Sequence, residues 1–122
     1  MTVQLDHAIV PSRNKVAAAK LLGELLGVPW AETGLGPFAP VYVNDGLTLD
    51  FIDTNEDFPV YHFCFRVEPF DEATIRAQLQ RHGVEAGPVA PRYGAEGEGP
   101  SIYLSDPEGN VVELKGPPGP VG

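Results

Sequence analysis

Hydrophobic and polar positions divide this chain into two stretches of similar rhythm. Residues 3–10 read as a first strand, and Pro11-Ser12 as its break. Over residues 13–26 the apolar side chains fall on one helical stripe, Val16, Ala19, Leu22 and Leu26, with Gly27 as the stop. Residues 38–44 and 47–53 read as two strands around Asn44-Asp45-Gly46, a strong hairpin signal. A polar link at 56–59 follows, and the rhythm restarts. Residues 60–67 alternate as a strand. Phe70-Asp71-Glu72 opens a second helix, with Asp71 as N-cap, Glu72 favourable in the first turn, Ile75 and Leu79 as its apolar stripe and Gly83 as its end. Strands at 101–105 and 110–115 come after a Gly/Pro-rich stretch.

Gly-Val follows each helix, at 27–28 and 83–84, an offset of 56, and His7 and His62 lie 55 apart. The near match predicts an internal repeat of a βαβββ unit, at about 1–56 and 57–116. The expected fold is therefore α+β: one domain over 1–116 made of two βαβββ modules that form a curved mixed β-sheet cavity. Residues 117–122, within the run Gly116-Pro-Pro-Gly-Pro-Val-Gly122, are expected to be a flexible tail.

Strand alternation then exposes the chemistry. In the 60–67 strand, Tyr61, Phe63, Phe65 and Val67 form a bulky apolar face suited to covering a helix. His62, Cys64 and Arg66 form the other, which is no ordinary core and should line a cavity or groove. Glu113 shares a face with Val111 and Lys115, amid apolar neighbours, and a carboxylate there needs a partner or a metal. His7 shares a face with Leu5 and Ile9. If a pseudo-twofold axis relates the two halves, His7, His62 and Glu113 converge. Two imidazoles and one carboxylate leave open positions on a divalent ion, which suits Fe, Mn, Ni, Co or Zn. The plainer alternatives are structural histidines, and an ion pair from Glu113 to Lys115 or Arg66.

These features together resemble the vicinal oxygen chelate superfamily, which includes glyoxalase I, extradiol dioxygenases, fosfomycin-resistance enzymes and bleomycin-binding proteins. The resemblance rests on the repeat, the early Leu-Asp-His7, the mid-chain strand His62 and the run Asp106-Pro-Glu-Gly-Asn-Val-Val-Glu-Leu114. It implies a metal held by His7, His62 and Glu113. The function it implies is a metal-dependent lyase, isomerase or oxygenase acting on a small molecule chelated through adjacent oxygens. The alternative is a non-catalytic binder of an antibiotic or other small ligand, as in bleomycin resistance. It also implies a homodimer.

Some expectations are finer. Glyoxalase I enzymes use a further carboxylate from the last strand of the first half. Aligning the hairpin turns here puts Leu49 at that place and Asp50 on the opposite face. Ser101 and Tyr103 resemble the hydroxyl pair that contacts substrate in fosfomycin-modifying enzymes, with Arg92 as the nearby basic residue. Tyr103 either contacts substrate and donates a proton, alongside Glu113 as a catalytic group, or simply packs half-buried. Cys64 either faces the cavity beside His62 and touches substrate, or is a small buried hydrophobe. The 94–99 loop, carrying Glu96 and Glu98, is either a lid or an acidic loop. Trp30 and Phe38 wall the pocket or pack the core, and His82 at a helix end carries no chemistry.

Composition narrows the partners. A net charge of −9 argues against nucleic acid or an anionic membrane as the main partner. The single cysteine permits no intramolecular disulfide and fits a reducing, cytoplasmic setting. Apolar runs are too short to span a bilayer.

Overall fold

A computed structural model describes residues 1–34, 36–106 and 110–119. The expected turn at 107–109 and the last three residues of the tail lie outside the described residues. Two compact units divide at Phe58/Pro59.

In the first unit, β1 (His7–Ser12) pairs in parallel with β3 (Leu47–Asp53), and β3 pairs antiparallel with β2 (Ala39–Asn44), giving the order β1-β3-β2. Strand β1 starts later than the periodicity predicts and runs through Pro11-Ser12 instead of breaking there. It is an edge strand of this sheet, and an edge tolerates the missing proline N–H. Helix α1 (Lys15–Leu26) begins where the Asn14 side chain accepts a hydrogen bond from the Ala17 N–H at 3.1 Å. Beneath it lies the core of the unit, with Val10, Ala19, Leu22, Val41, Leu49 and Phe51 buried. Leu21 and Gly23 are buried as well, whereas the expected stripe members Val16 and Leu26 are only half-buried.

In the second unit, β4 (His62–Arg66) pairs in parallel with β7 (Val111–Lys115), and the order is β4-β7-β6-β5, with β6 spanning Gly99–Ser105 and β5 spanning Ala90–Arg92. Strand β5 is absent from the sequence reading, because its Ala-Pro-Arg has neither alternation nor β-branched residues. Helix α2 (Glu72–Arg81) starts at the expected cap, with Asp71 accepting from the Thr74 N–H at 3.2 Å, and buries Ile75 and Leu79. Arg76 on α2 donates to the Gly87 carbonyl at 2.9 Å and so fixes the approach to β5.

The two units end their helices alike. Gly27 and Gly83 each end their helix at φ near +70°, and the next residue's N–H returns to a carbonyl five residues back: Val28 to Gly23, and Val84 to Leu79, both at 2.9 Å. Isolated bridges follow at Trp30↔Val41 and Ala86↔Leu104. In each unit the first strand runs parallel to the last. The start of the expected flexible tail is held by hydrogen bonds from Gly116 N–H to the Pro100 carbonyl at 2.8 Å and from Gly119 N–H to the Glu98 carbonyl at 3.0 Å. Among the described residues, no helix is long and apolar enough to cross a membrane.

Candidate metal and substrate site

Strand pleating separates two faces in the second sheet. Val112, Leu114, Ile102 and Leu104 are buried on one. The register Cys64↔Glu113↔Tyr103 sets three chemical side chains abreast on the other, with His62 one pleat away beside Val111, and Arg66, Lys115 and Ser101 abreast at the far end.

Glu113 anchors this face. Its side chain is only 6% exposed, and both oxygens are engaged. The Ser101 hydroxyl donates to Oε2 at 2.6 Å, and His62 Nε2 donates to Oε1 at 3.1 Å. Burial alone pushes the Glu113 carboxyl up, yet the hydrogen bonds from Ser101 and His62 and the nearby imidazole outweigh it and hold the group below its ordinary value. Glu113 is therefore an ionised acceptor at neutral pH. It is bonded to neither Lys115 nor Arg66; Arg66 pairs with Glu96 at 3.0 Å.

The remaining side chains are stacked around this pair. Tyr103 meets the His62 ring edge-on at 5.6 Å, and the Arg92 guanidinium lies 4.1 Å over the Tyr103 ring. Arg92 is aimed by its bonds to the Ser101 carbonyl at 2.6 Å and the Ser101 hydroxyl at 3.3 Å. Burial, and then the Glu113 charge, raise the Tyr103 hydroxyl above its ordinary value, so it stays protonated and able to donate. Cys64 shares this face and is exposed, not a buried hydrophobe. Burial of the sulfur, followed by the Glu113 charge, raises its thiol too, which leaves it protonated and weakly nucleophilic.

The first unit carries the counterpart. His7 Nδ1 donates to Asp6 Oδ2 at 2.7 Å, which leaves Nε2 for another ligand. That hydrogen bond and the Asp6 charge raise the His7 pKa. His7, Asp6, Tyr42, Thr48, Asp50 and Phe38 line an open groove of about 390 Å³. Trp30, by contrast, packs against Gly23.

The register of β1 with β3 overturns one expectation. His7 lies opposite Thr48 and Ile9 opposite Asp50, just as His62 lies opposite Val111 and Cys64 opposite Glu113. Asp50 thus occupies in the first unit the place that Glu113 holds in the second, on the His7 face. Leu49 is in the core, 3% exposed. Counting from the hairpin turn misplaces the phase by one residue when the two turns are matched out of step: Asp50 lies four residues after Gly46, as Glu113 lies four after Gly109. Counting along β3 from the residue opposite His7 finds Asp50.

Within either unit, among the described residues, no three His, Cys, Asp or Glu side chains converge closely enough to hold a metal ion. Each unit instead presents one histidine hydrogen-bonded to a carboxylate. Imidazole nitrogen and ionised carboxylate are the donor types that borderline divalent ions take, and a buried carboxylate already oriented by a serine hydroxyl is what an outer shell provides. The residues present fit such a group.

Neither a protein-family profile nor a curated protein sequence matches the chain. Solved structures do. "Oxidase ChaP-H2" superposes with a TM-score of 0.81 at 31% identity, over 97% of this chain and 96% of that one. The fosfomycin resistance protein FosX from Mesorhizobium loti gives a TM-score of 0.72 at 18% identity, over 97% and 95% of the two chains. A glyoxalase/dioxygenase from Nostoc punctiforme gives 0.69 at 18% identity, over 95% and 92%. The last two likenesses speak to the fold alone, the small α+β arrangement with two mixed sheets; among the described residues the second unit is the expected βαβββ, whereas the first is βαββ.

Proposed function

The chain belongs to the vicinal oxygen chelate superfamily, and on that premise we propose that it is a divalent-metal-dependent enzyme acting on a small molecule that chelates through two adjacent oxygens. The observation that carries this reading is the His62–Glu113 pair: Nε2 and Oε1 stand 3.1 Å apart, and Oε2 is fixed by Ser101 at 2.6 Å. His62 and Glu113 are read as ligands, with His7, the repeat counterpart of His62, as the third. Asp50 stands at the register place of Glu113 and becomes a candidate fourth.

A bound divalent ion would polarise the chelated oxygens and stabilise negative charge developing on them. The protein's own residues supply the rest. Ser101 orients Glu113 and keeps it ionised. Tyr103, protonated and adjacent to both His62 and Glu113, is placed to donate a proton or a hydrogen bond to a substrate oxygen. Arg92 on its ring face holds the phenol in orientation.

The experiment is metal analysis of purified protein after dialysis against Zn(II), Fe(II) or Mn(II), for wild type, His62→Ala and His7→Ala. Near-stoichiometric metal in the wild type, lost in both variants, is the expected result. Wild-type protein that retains no metal yet binds a small aromatic ligand would sink the enzyme reading in favour of a binding protein.

A further inference from the structure

Asn110 stands immediately before β7 and is 3% exposed, an unusual place for an amide. Its side chain is bonded at both ends. Oδ1 accepts from the Tyr61 N–H at 2.8 Å, and Nδ2 donates to Asp106 Oδ2 at 3.1 Å. The backbone of Asn110 is tied to the same aspartate. Its N–H donates to Asp106 Oδ1 at 2.9 Å, and its carbonyl accepts from the Asp106 N–H at 3.0 Å. Three bonds to Asp106 fix the amide, and the amide in turn fixes Tyr61.

Tyr61 is the residue before His62, and both of its backbone groups are used here. Its N–H goes to Asn110, and its carbonyl accepts from the Val111 N–H at 2.7 Å. This is the entry to the parallel β4–β7 ladder, in which His62 lies opposite Val111 and Cys64 opposite Glu113. Strand β4 has five residues and pairs within its sheet with β7 alone. A slip of one residue would turn His62 to the opposite face. The His62 side chain is 51% exposed, and its ring meets Glu113 and the edge of Tyr103. Close packing does not place this ring, so its reach to Glu113 depends on where the strand backbone begins.

The first unit uses another device. Its ladder starts alike, with the Thr48 N–H donating to the Asp6 carbonyl at 3.1 Å. Asp50 stands at the place of Glu113, and three residues before it, where the second unit has Asn110, stands Leu47. A leucine offers no acceptor to the strand opposite. There the Asp6 carboxylate holds the His7 ring directly, at 2.7 Å. One histidine is steered through its ring, the other through its strand.

We propose that Asn110, anchored on Asp106, is the positioning residue of the His62–Glu113 pair. It sets the register that brings the imidazole to the carboxylate, and so sets the affinity of the pair for a divalent ion. The metal half of this inference rests on the function proposed above; the register half does not.

The test compares wild type, Asn110→Asp, and the reciprocal swap that adds Asp106→Asn to Asn110→Asp. The single variant keeps shape and the acceptor for Tyr61 but sets two carboxylates against each other. The swap restores a donor–acceptor pair with its direction reversed. In metal-free protein, NMR reads the cross-peak between the ring protons of His62 and Tyr103, whose centroids lie 5.6 Å apart. It should be present in wild type, lost in Asn110→Asp and regained in the swap. Zn(II) affinity, read by competition with a chelator, should fall about tenfold or more in the single variant and recover in the swap. A cross-peak undiminished in folded Asn110→Asp overturns the proposal. If that variant does not fold, the swap decides: folded protein with the cross-peak supports the anchor, and anything else overturns it. An unchanged Zn(II) affinity in a variant that has lost the cross-peak overturns the metal half. Wild type that shows the cross-peak and takes up no metal sinks the metal reading and leaves the register half standing.

Discussion

Replacing Ser101 with alanine tests the centre of the site with the least disturbance. The residue is fully buried, and the change removes one oxygen and adds no bulk. Its hydroxyl donates the 2.6 Å bond to a carboxylate that is itself nearly buried. A hydrogen bond to a charged acceptor contributes about 1.5–3 kcal/mol, and a buried acceptor left short of a donor sits toward the middle or upper part of that range. Arg92 loses its longer bond to the Ser101 hydroxyl at 3.3 Å but keeps its stronger anchor, the Ser101 carbonyl at 2.6 Å, so the loss falls mainly on Glu113. The expected destabilisation at pH 7 is about 2 kcal/mol, roughly 6–10 °C in Tm for a chain of this length. Its pH dependence is the sharper readout. Glu113 titrates lower in the folded protein than in the unfolded chain, so the stability it contributes is present above the unfolded value and drains away as pH falls through the folded one. The gap between Ser101→Ala and wild type should therefore be widest at neutral pH and smaller at an acid pH where Glu113 is protonated in the folded protein. Urea unfolding of both proteins at the two pH values measures it. A variant as stable as wild type at pH 7, or one whose deficit persists undiminished in acid, would refute the argument that this serine stabilises an ionised Glu113.

Other consequences are as direct. Asp6→Asn should lower the His7 pKa toward its ordinary value, since the Asp6 hydrogen bond and charge are what raise it; proton NMR titration of the imidazole reads this, and an unmoved midpoint would exclude the pairing. Gly23→Ala should destabilise the first unit by about 1–3 kcal/mol, because a Cβ there would meet Trp30 atoms at 2.7–2.8 Å; denaturant midpoints check it. Asp71→Ala should cost about 1 kcal/mol through loss of the α2 cap to Thr74, and Asp71→Ser should recover most of it.

Where local chemistry decided structure, the sequence was readable. Asp71 caps α2 as read, Gly27 and Gly83 end their helices, and His62, Cys64 and Arg66 share a face because a strand has period two. Long-range pairing was harder to read. Strand β1 continues through Pro11 because it is an edge, and nothing in the local sequence says which strands are edges. Asp50 is hard to place because turn residues of unlike sequence can be matched one residue out of step, whereas the parallel partner of β3, far away in sequence, sets the correct phase. Strand β5 forms from Ala-Pro-Arg only because β6 offers it a ladder. Lys115 looked like a partner for Glu113 on spacing, but Ser101, twelve residues earlier, and His62 took both carboxylate oxygens.

The alternation of faces has a consequence for how this chain can change over time. In β4, positions 62, 64 and 66 carry chemistry while Phe63 and Phe65 face the other way; in β7, Val112 and Leu114 are core while 111, 113 and 115 are not on that side. The two tasks are interleaved residue by residue, so a single strand can drift in specificity without drifting in fold. Ile9 and Tyr42, 53% and 43% exposed on the His7 face, are the freest positions of this kind. A saturation scan of these strands should show tolerance rising and falling every second residue, with Ser101 and Glu113 the intolerant members of the open face. Selection for a new substrate would then act on one half of each strand and leave the other half almost silent.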